Sequence, residues 1–179
     1  LALAPAIILV GCGGGGGDAG DSAAAPTSYW TMDSRTYVNG GASSSSTTTT
    51  SGKPITVAVV STATLSGGDA SNGAYSGSSL SFIFENAGAG SYVVVPDRAS
   101  LIALPIGTRA AVVECIVGIA VTTGSTQYVA SSGTVNVSID AAGKPHFSAA
   151  PMSTVKANEV LGGVAGAPSS MTLVVVDAY

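Results

Sequence analysis

Ser79-Leu80-Ser81-Phe82-Ile83-Phe84 sets Leu80, Phe82 and Phe84 in alternation with Ser79, Ser81 and Ile83, the period-two pattern of a strand with a buried face. Ile55-Thr56-Val57-Ala58-Val59 alternates in the same way, and Val135, Val137 and Ile139 alternate with Thr134, Asn136 and Ser138. Further candidate strands are 29–38, 92–95, 110–121, 126–130, 146–149, 154–157 and 171–178. Asn39-Gly40, Gly67-Gly68, Asn72-Gly73, Ser132-Gly133 and Ala142-Gly143 punctuate them with turn chemistry. Short β-branched runs separated by glycine and proline predict an all-β fold, an antiparallel β-sandwich of immunoglobulin-like or jelly-roll-like type. Only 157–163, ANEVLGG, reads as a helical turn. The tract Ser43 to Ser51, SSSSTTTTS, reads as a solvated loop whose hydroxyls are open to O-linked sugars in a secreted protein.

Composition excludes several function classes. Charged residues make up 9% of the 179-residue chain, against about 25% in typical soluble domains. Six basic residues, scattered, and a formal net charge of −4 cannot build the clustered Lys and Arg surface that nucleic acid requires. No polybasic patch exists for anionic lipid. No apolar run approaches the roughly 20 residues of a spanning helix. The length suffices for one domain with a sizeable core plus a tail.

The sequence divides into an apolar segment at 1–10, a Gly/Ala/Ser-rich linker at 11–27 and a β-sandwich domain at 28–179. The linker, with Gly13 to Gly17 at its centre, behaves as a flexible coil that spans roughly 20–25 Å on average. Two readings of the segment LALAPAIILV stay open. In the first, Leu9-Val10-Gly11-Cys12 is a lipobox, and everything before an acylated Cys12 is removed on export. In the second, favoured by the lack of a basic region ahead of the apolar run, the segment is retained and works as a strand. Leu1, Leu3, Pro5, Ile7 and Leu9 then share one face, with Ala2, Ala4, Ala6, Ile8 and Val10 on the other. Pro5 restricts pairing to a register in which its position donates no N–H.

Chemistry-bearing residues are sparse. Cys12 and Cys115 are the only cysteines, and Cys115, among Val113, Val117 and Ile119, reads as a small buried hydrophobe. His146 is the only histidine. A Ser-His-Asp arrangement would need it with Asp140 or Asp177, but no Gly-x-Ser-x-Gly elbow accompanies it, and it reads as a solvent-facing residue after a turn. Zinc-ligand spacing is lacking, and the loop Ser66 to Asn72 falls short of a calcium-binding pattern. No Lys-Ser or Lys-Thr follows the glycine run, as a phosphate loop requires. The expectation is a protein without catalytic residues, metal or cofactor. Trp30, with Tyr29 beside it, reads first as a core anchor and second as a platform for stacking on a sugar ring.

Val38-Asn39-Gly40 after an aromatic strand, Gly90-Ser91-Tyr92 in the middle, and Ser132-Gly133-Thr134-Val135 followed by His146-Phe147-Ser148-Ala149 resemble a group of small secreted bacterial β-sandwich lipoproteins of unassigned activity. The resemblance covers most of 29–179 and implies a fold and an envelope location. The apolar terminal segment tethered to a β-sandwich also resembles fimbrial subunits that assemble by strand donation. The expectation is an extracellular or cell-surface filament subunit that donates residues 1–10 to an identical neighbour. The alternative is a monomeric lipoprotein anchored through Cys12, with surface glycans as a further class of partner.

Overall fold

The computed structural model describes residues 27–62, 77–119 and 124–179. Residues 1–10, the linker to residue 26 with Cys12, and the loop 66–72 lie outside them. The described chain forms β1 (Tyr29–Met32), β2 (Arg35–Val38), β3 (Gly41–Thr48), β4 (Pro54–Ser61), β5 (Ser79–Glu85), β6 (Gly90–Val94), α1 (Arg98–Ala103), β7 (Ala110–Ile119), β8 (Gly124–Ala130), β9 (Thr134–Ile139), β10 (Pro145–Val160) and β11 (Ser170–Ala178).

The fold is all-β. The strands join one sheet in the order β2-β1-β11-β10-β9-β6-β7-β5-β4-β3, and β8 pairs with both β7 and β10. This sheet folds over so that its inner faces meet. Phe82 of β5 stacks on Phe147 of β10 with ring centroids 3.9 Å apart and planes 5° apart, and Phe84 meets Phe147 edge-on. One cluster of buried side chains, including Trp30, Val60, Leu80, Tyr92, Val113 and Leu173, draws on both halves. The result is sandwich-like, with two departures from the expected form. The halves are joined by hydrogen-bonded strands, and β6 pairs with β7 in parallel, Val93 opposite Ala110 and Val94 opposite Ala111. Every other pairing described is antiparallel.

A parallel pair cannot be closed by a tight turn and needs a crossover. Residues 95–109, with α1, provide it. Asp97 caps the helix, its carboxylate accepting from the Ser100 N–H at 2.6 Å. Leu101 packs with Ile55, Ala110 and Val112 in a second cluster on the outer face of the sheet.

Several sequence expectations change. The tract 43–51 forms most of β3, paired in register with β4 from Gly41 opposite Ser61 to Thr48 opposite Pro54. A polar tract becomes a strand here because its partner supplies the ladder. Residues 157–160 continue β10 instead of turning as a helix, held by β8 through Asn158 opposite Gln127 and Val160 opposite Ser125. The two strands expected at 146–149 and 154–157 are one bent strand. Register shifts between Ala149 and Met152 mark a bulge that contains Pro151, the position where a missing N–H costs least. The strand expected over 29–38 is a hairpin that turns at Asp33, whose φ is 51°.

Cys115 lies in the main core, and burial pushes its thiol up to about 12. The aromatic stack generates the first prediction. Phe82→Ala leaves a cavity against Phe147 and lowers stability by about 3–5 kcal/mol, read as a fall in the urea midpoint with an unchanged slope.

Candidate functional site

Two places merit description as sites: the open side of the sandwich, where the sheet path ends, and the buried ion pair that holds the crossover. At the open side the chain leaves β2 through Asn39 and Gly40 and passes to β3 in the opposite layer. The Asn39 N–H donates to the Ser28 carbonyl at 3.3 Å, and the Gly40 N–H donates to the Ser61 carbonyl at 2.7 Å. The start of the domain therefore lies beside the start of β3. Among the described residues, β3 is paired with β4 alone and β2 with β1 alone. Ser43 to Thr48 are all exposed, Ser46 Oγ shares a hydrogen bond of 2.8 Å with Thr56 Oγ1, and the Tyr179 hydroxyl donates to Ser44 Oγ at 2.9 Å.

Beside this edge lies an open hollow of about 450 Å³, lined by Asn39, Ala42, Asp140, Lys144, His146 and Tyr179. His146 bridges two carboxylates across it. Its Nδ1 is 3.1 Å from Asp177 Oδ1, and its Nε2 is 3.7 Å from Asp140 Oδ2. The structure thus brings His146 together with both of the aspartates considered from sequence as its alternative partners. Both ring nitrogens face carboxylates, so neither is directed at a serine hydroxyl as a general base requires. His146 is half-buried at the seam, where sequence alone placed it facing solvent. The Asp140 carboxylate caps its own turn, accepting from the N–H groups of Lys144 and Ala142, each at 2.8 Å. Those bonds, the one from Lys144 foremost, hold its carboxyl below the usual range, with a smaller lowering from His146.

Trp30 is fully buried and stacks on Tyr37 at 5.5 Å with planes 10° apart. Its indole has no free face for a sugar, which corrects the stacking role considered for Trp30. Tyr29 remains half-buried at the start of β1. A second hollow of about 290 Å³ opens at the far end of the β1–β2 hairpin, between Met32, Arg35, Val117, Tyr128, Val164 and Met171. The Tyr128 hydroxyl closes one wall by donating to the Pro168 carbonyl at 2.9 Å.

The ion pair was not legible in sequence. Lys53 Nζ lies 3.4 Å from Glu85 Oε2, with 1% and 2% of the two side chains exposed. The ammonium also donates to the carbonyls of Leu101 at 2.9 Å and Leu104 at 2.7 Å, and Glu85 Oε1 accepts from the Gly107 N–H. Each charge is thus shared with peptide groups of the crossover where water is excluded, while Glu85 Oε2 is left with the Lys53 ammonium alone among the described residues. The only signal available in sequence is that Lys53 and Glu85 border apolar strands in a chain poor in charge.

The donor-strand residues Leu1, Leu3, Pro5, Ile7 and Leu9, and the lipidation candidate Cys12, lie outside the described residues. Among the described residues, no group of three or more His, Cys, Asp or Glu side chains is placed to hold a metal ion. No described helix is long and apolar enough to cross a membrane. The fold defines the class as an all-β, sandwich-like domain. Comparison with protein-family models, curated proteins and solved structures finds no match.

Two predictions follow from these groups. Lys53→Met strands the Glu85 carboxylate and costs about 3–5 kcal/mol, whereas Lys53→Met with Glu85→Leu recovers most of that loss; urea denaturation of the three proteins measures both. Asp140, whose folded value is depressed, contributes stability above its unfolded value of about 3.9 and loses it as pH falls through the folded value below. The stability difference between wild type and Asp140→Asn is accordingly full at pH 7 and shrinks below pH 4, read from urea midpoints across that range.

Proposed function

We propose that this protein is a structural subunit of an extracellular or cell-surface filament, joined to identical subunits by strand addition through residues 1–10. The observation that carries this reading is that the sheet ends in two strands, β2 and β3, each hydrogen-bonded on one side only among the described residues. A free edge presents a row of unpaired N–H and C=O groups that another strand completes. Residues 1–10 have the composition of such a strand, and the glycine-rich linker is the hinge between subunits. Burial of three or four large aliphatic side chains contributes on the order of 5–10 kcal/mol before ordering costs. Contacts of this head-to-tail kind are heterologous and build open filaments.

A second reading is favoured by one specific feature, the sequence Leu9-Val10-Gly11-Cys12. In it the protein is an envelope lipoprotein tethered by acylated Cys12, in line with the resemblance to secreted β-sandwich lipoproteins. The intact mass of the protein from its native source separates the two. A species that retains residues 1–10 without lipid supports the filament subunit, and a start at lipidated Cys12 overturns it.

Deletion of residues 1–10 is expected to convert polymers to monomers with little change in the unfolding midpoint of the domain. Light scattering and electron microscopy of the full chain and the deletion read the outcome. Polymers of equal length from the deleted protein would sink the proposal.

A further inference from the structure

We infer that β3 is the acceptor edge, and that residues 1–10 of a second copy pair along it in the parallel direction, with Leu3, Ile7 and Leu9 turned into the seam between the layers. This rests on the filament reading and names its docking surface. Length separates the two candidate edges. β2 has four residues and carries Arg35, whereas β3 has eight, with no charged residue and no proline. Native sheets protect their edges with charge, proline or brevity, and β3 has none of these. At about 3.3 Å per residue it offers ~23 Å of ladder to a ten-residue segment.

The direction follows from which peptide groups are free. The Asn86 N–H donates to the Pro54 carbonyl and the Thr62 N–H to the Ser78 carbonyl, so the even-numbered residues of β4 face β5. Its odd-numbered residues therefore face β3, opposite Ser43, Ser45 and Thr47. The bond from the Thr49 N–H to the Lys53 carbonyl, at 2.9 Å, continues the same alternation. Among the described residues, the N–H and C=O groups of β3 that face away from β4 are those of Ala42, Ser44, Ser46 and Thr48. Their side chains lie on the inner face, since Ala42 packs on the main core and Ser44 meets Tyr179.

Pro5 has no N–H, so the odd-numbered residues of the incoming segment point their peptide groups away from β3, and the even-numbered ones make the ladder. In an antiparallel pair, hydrogen-bonded residues stand opposite each other with side chains on the same face. That arrangement sends Ala2, Ala4, Ala6, Ile8 and Val10 inward and leaves the bulkier face, with Leu3, Ile7 and Leu9, in water. A parallel pair shifts the opposition by one residue. The odd-numbered side chains then enter the seam, Leu3 beside the hollow at Ala42 and Tyr179, and the face that carries Ala2, Ala4, Ala6, Ile8 and Val10 turns out. Burial of the larger apolar face selects the parallel direction.

Parallel pairing also decides where the linker goes. Residue 10 ends beside Thr48, at the opposite end of β3 from Ser28. The linker therefore leads away from the accepting domain toward the next, and a return to the same domain would run back along the whole strand.

Disulfide trapping in the full chain carrying Cys12→Ser tests this. Leu3→Cys with Ala42→Cys, and Leu9→Cys with Thr48→Cys, are expected to give intermolecular ladders on non-reducing gels. Leu3→Cys with Thr48→Cys, and Leu9→Cys with Ala42→Cys, are expected to remain uncrosslinked. Trapping in this second set, trapping with Val38→Cys on β2, or a crosslink confined to one chain each overturns the inference. Ser46→Pro blocks the edge at a position whose backbone N–H faces away from β4, giving up only the side-chain bond to Thr56, and is expected to abolish polymers while the domain stays folded by circular dichroism. Polymers that persist in Ser46→Pro but vanish on deletion of 1–10 would leave the filament reading standing and sink β3 as acceptor. Polymers that survive both changes would sink the filament reading itself.

Discussion

The contact between Phe82 and Phe147 is the constraint on which the rest of this molecule depends. A single long sheet has two faces, and water must be excluded from one of them for the chain to fold. Here the sheet turns back on itself until β5 meets β10, and two rings 3.9 Å apart fill the space between them. Phe84 and Tyr179 meet Phe147 edge-on, and Tyr92 meets Phe84 in the same way. The aromatic residues are few, yet they are concentrated where the layers approach, which is where large rigid side chains contribute most.

Folding one sheet over creates a corner, and the corner is built from β6, β8 and β9. The parallel contact of β6 with β7 forces the intervening chain to cross the outer face, where a cluster smaller than the main core holds it. Leu101 supplies part of the attachment. Lys53 and Glu85 supply the rest through peptide groups of the crossover, so a buried ion pair acts as a clasp between the sheet and an otherwise exposed segment. Such a pair contributes less to net stability than to fixing one geometry, because its attraction is offset by the loss of hydration.

The opposite side of the sandwich is left open. Its edges are polar, and the residues there are tied together by light contacts: Asn39 to Ser28, Tyr179 to Ser44, and His146 between Asp140 and Asp177. Small hydroxyl side chains along β3 keep its backbone accessible, whereas long charged ones would screen it. The proposed assembly uses that accessibility.

Period-two alternation in 55–59, 80–84 and 135–139 was enough to determine an all-β protein, because burial of one strand face is written locally in the residues themselves. The core positions of Leu80, Phe82, Val135, Val137 and Cys115 were legible for the same reason. What only the tertiary structure decided depends on residues far apart in sequence. Ser43 to Thr48 carry no apolar alternation, and their strand exists because β4 offers a ladder. Trp30 was consistent with core or surface until Tyr37 covered its ring. The helix α1 has only six residues and follows from the parallel pairing of strands on either side of it. Lys53 and Glu85 meet at one end of the β4–β5 pair, and His146 and Asp177 meet across β10 and β11, so each contact exists only once those strands have found each other. Local sequence specifies which face of a strand is apolar, but the choice of pairing partner rests on the packing of the whole sheet.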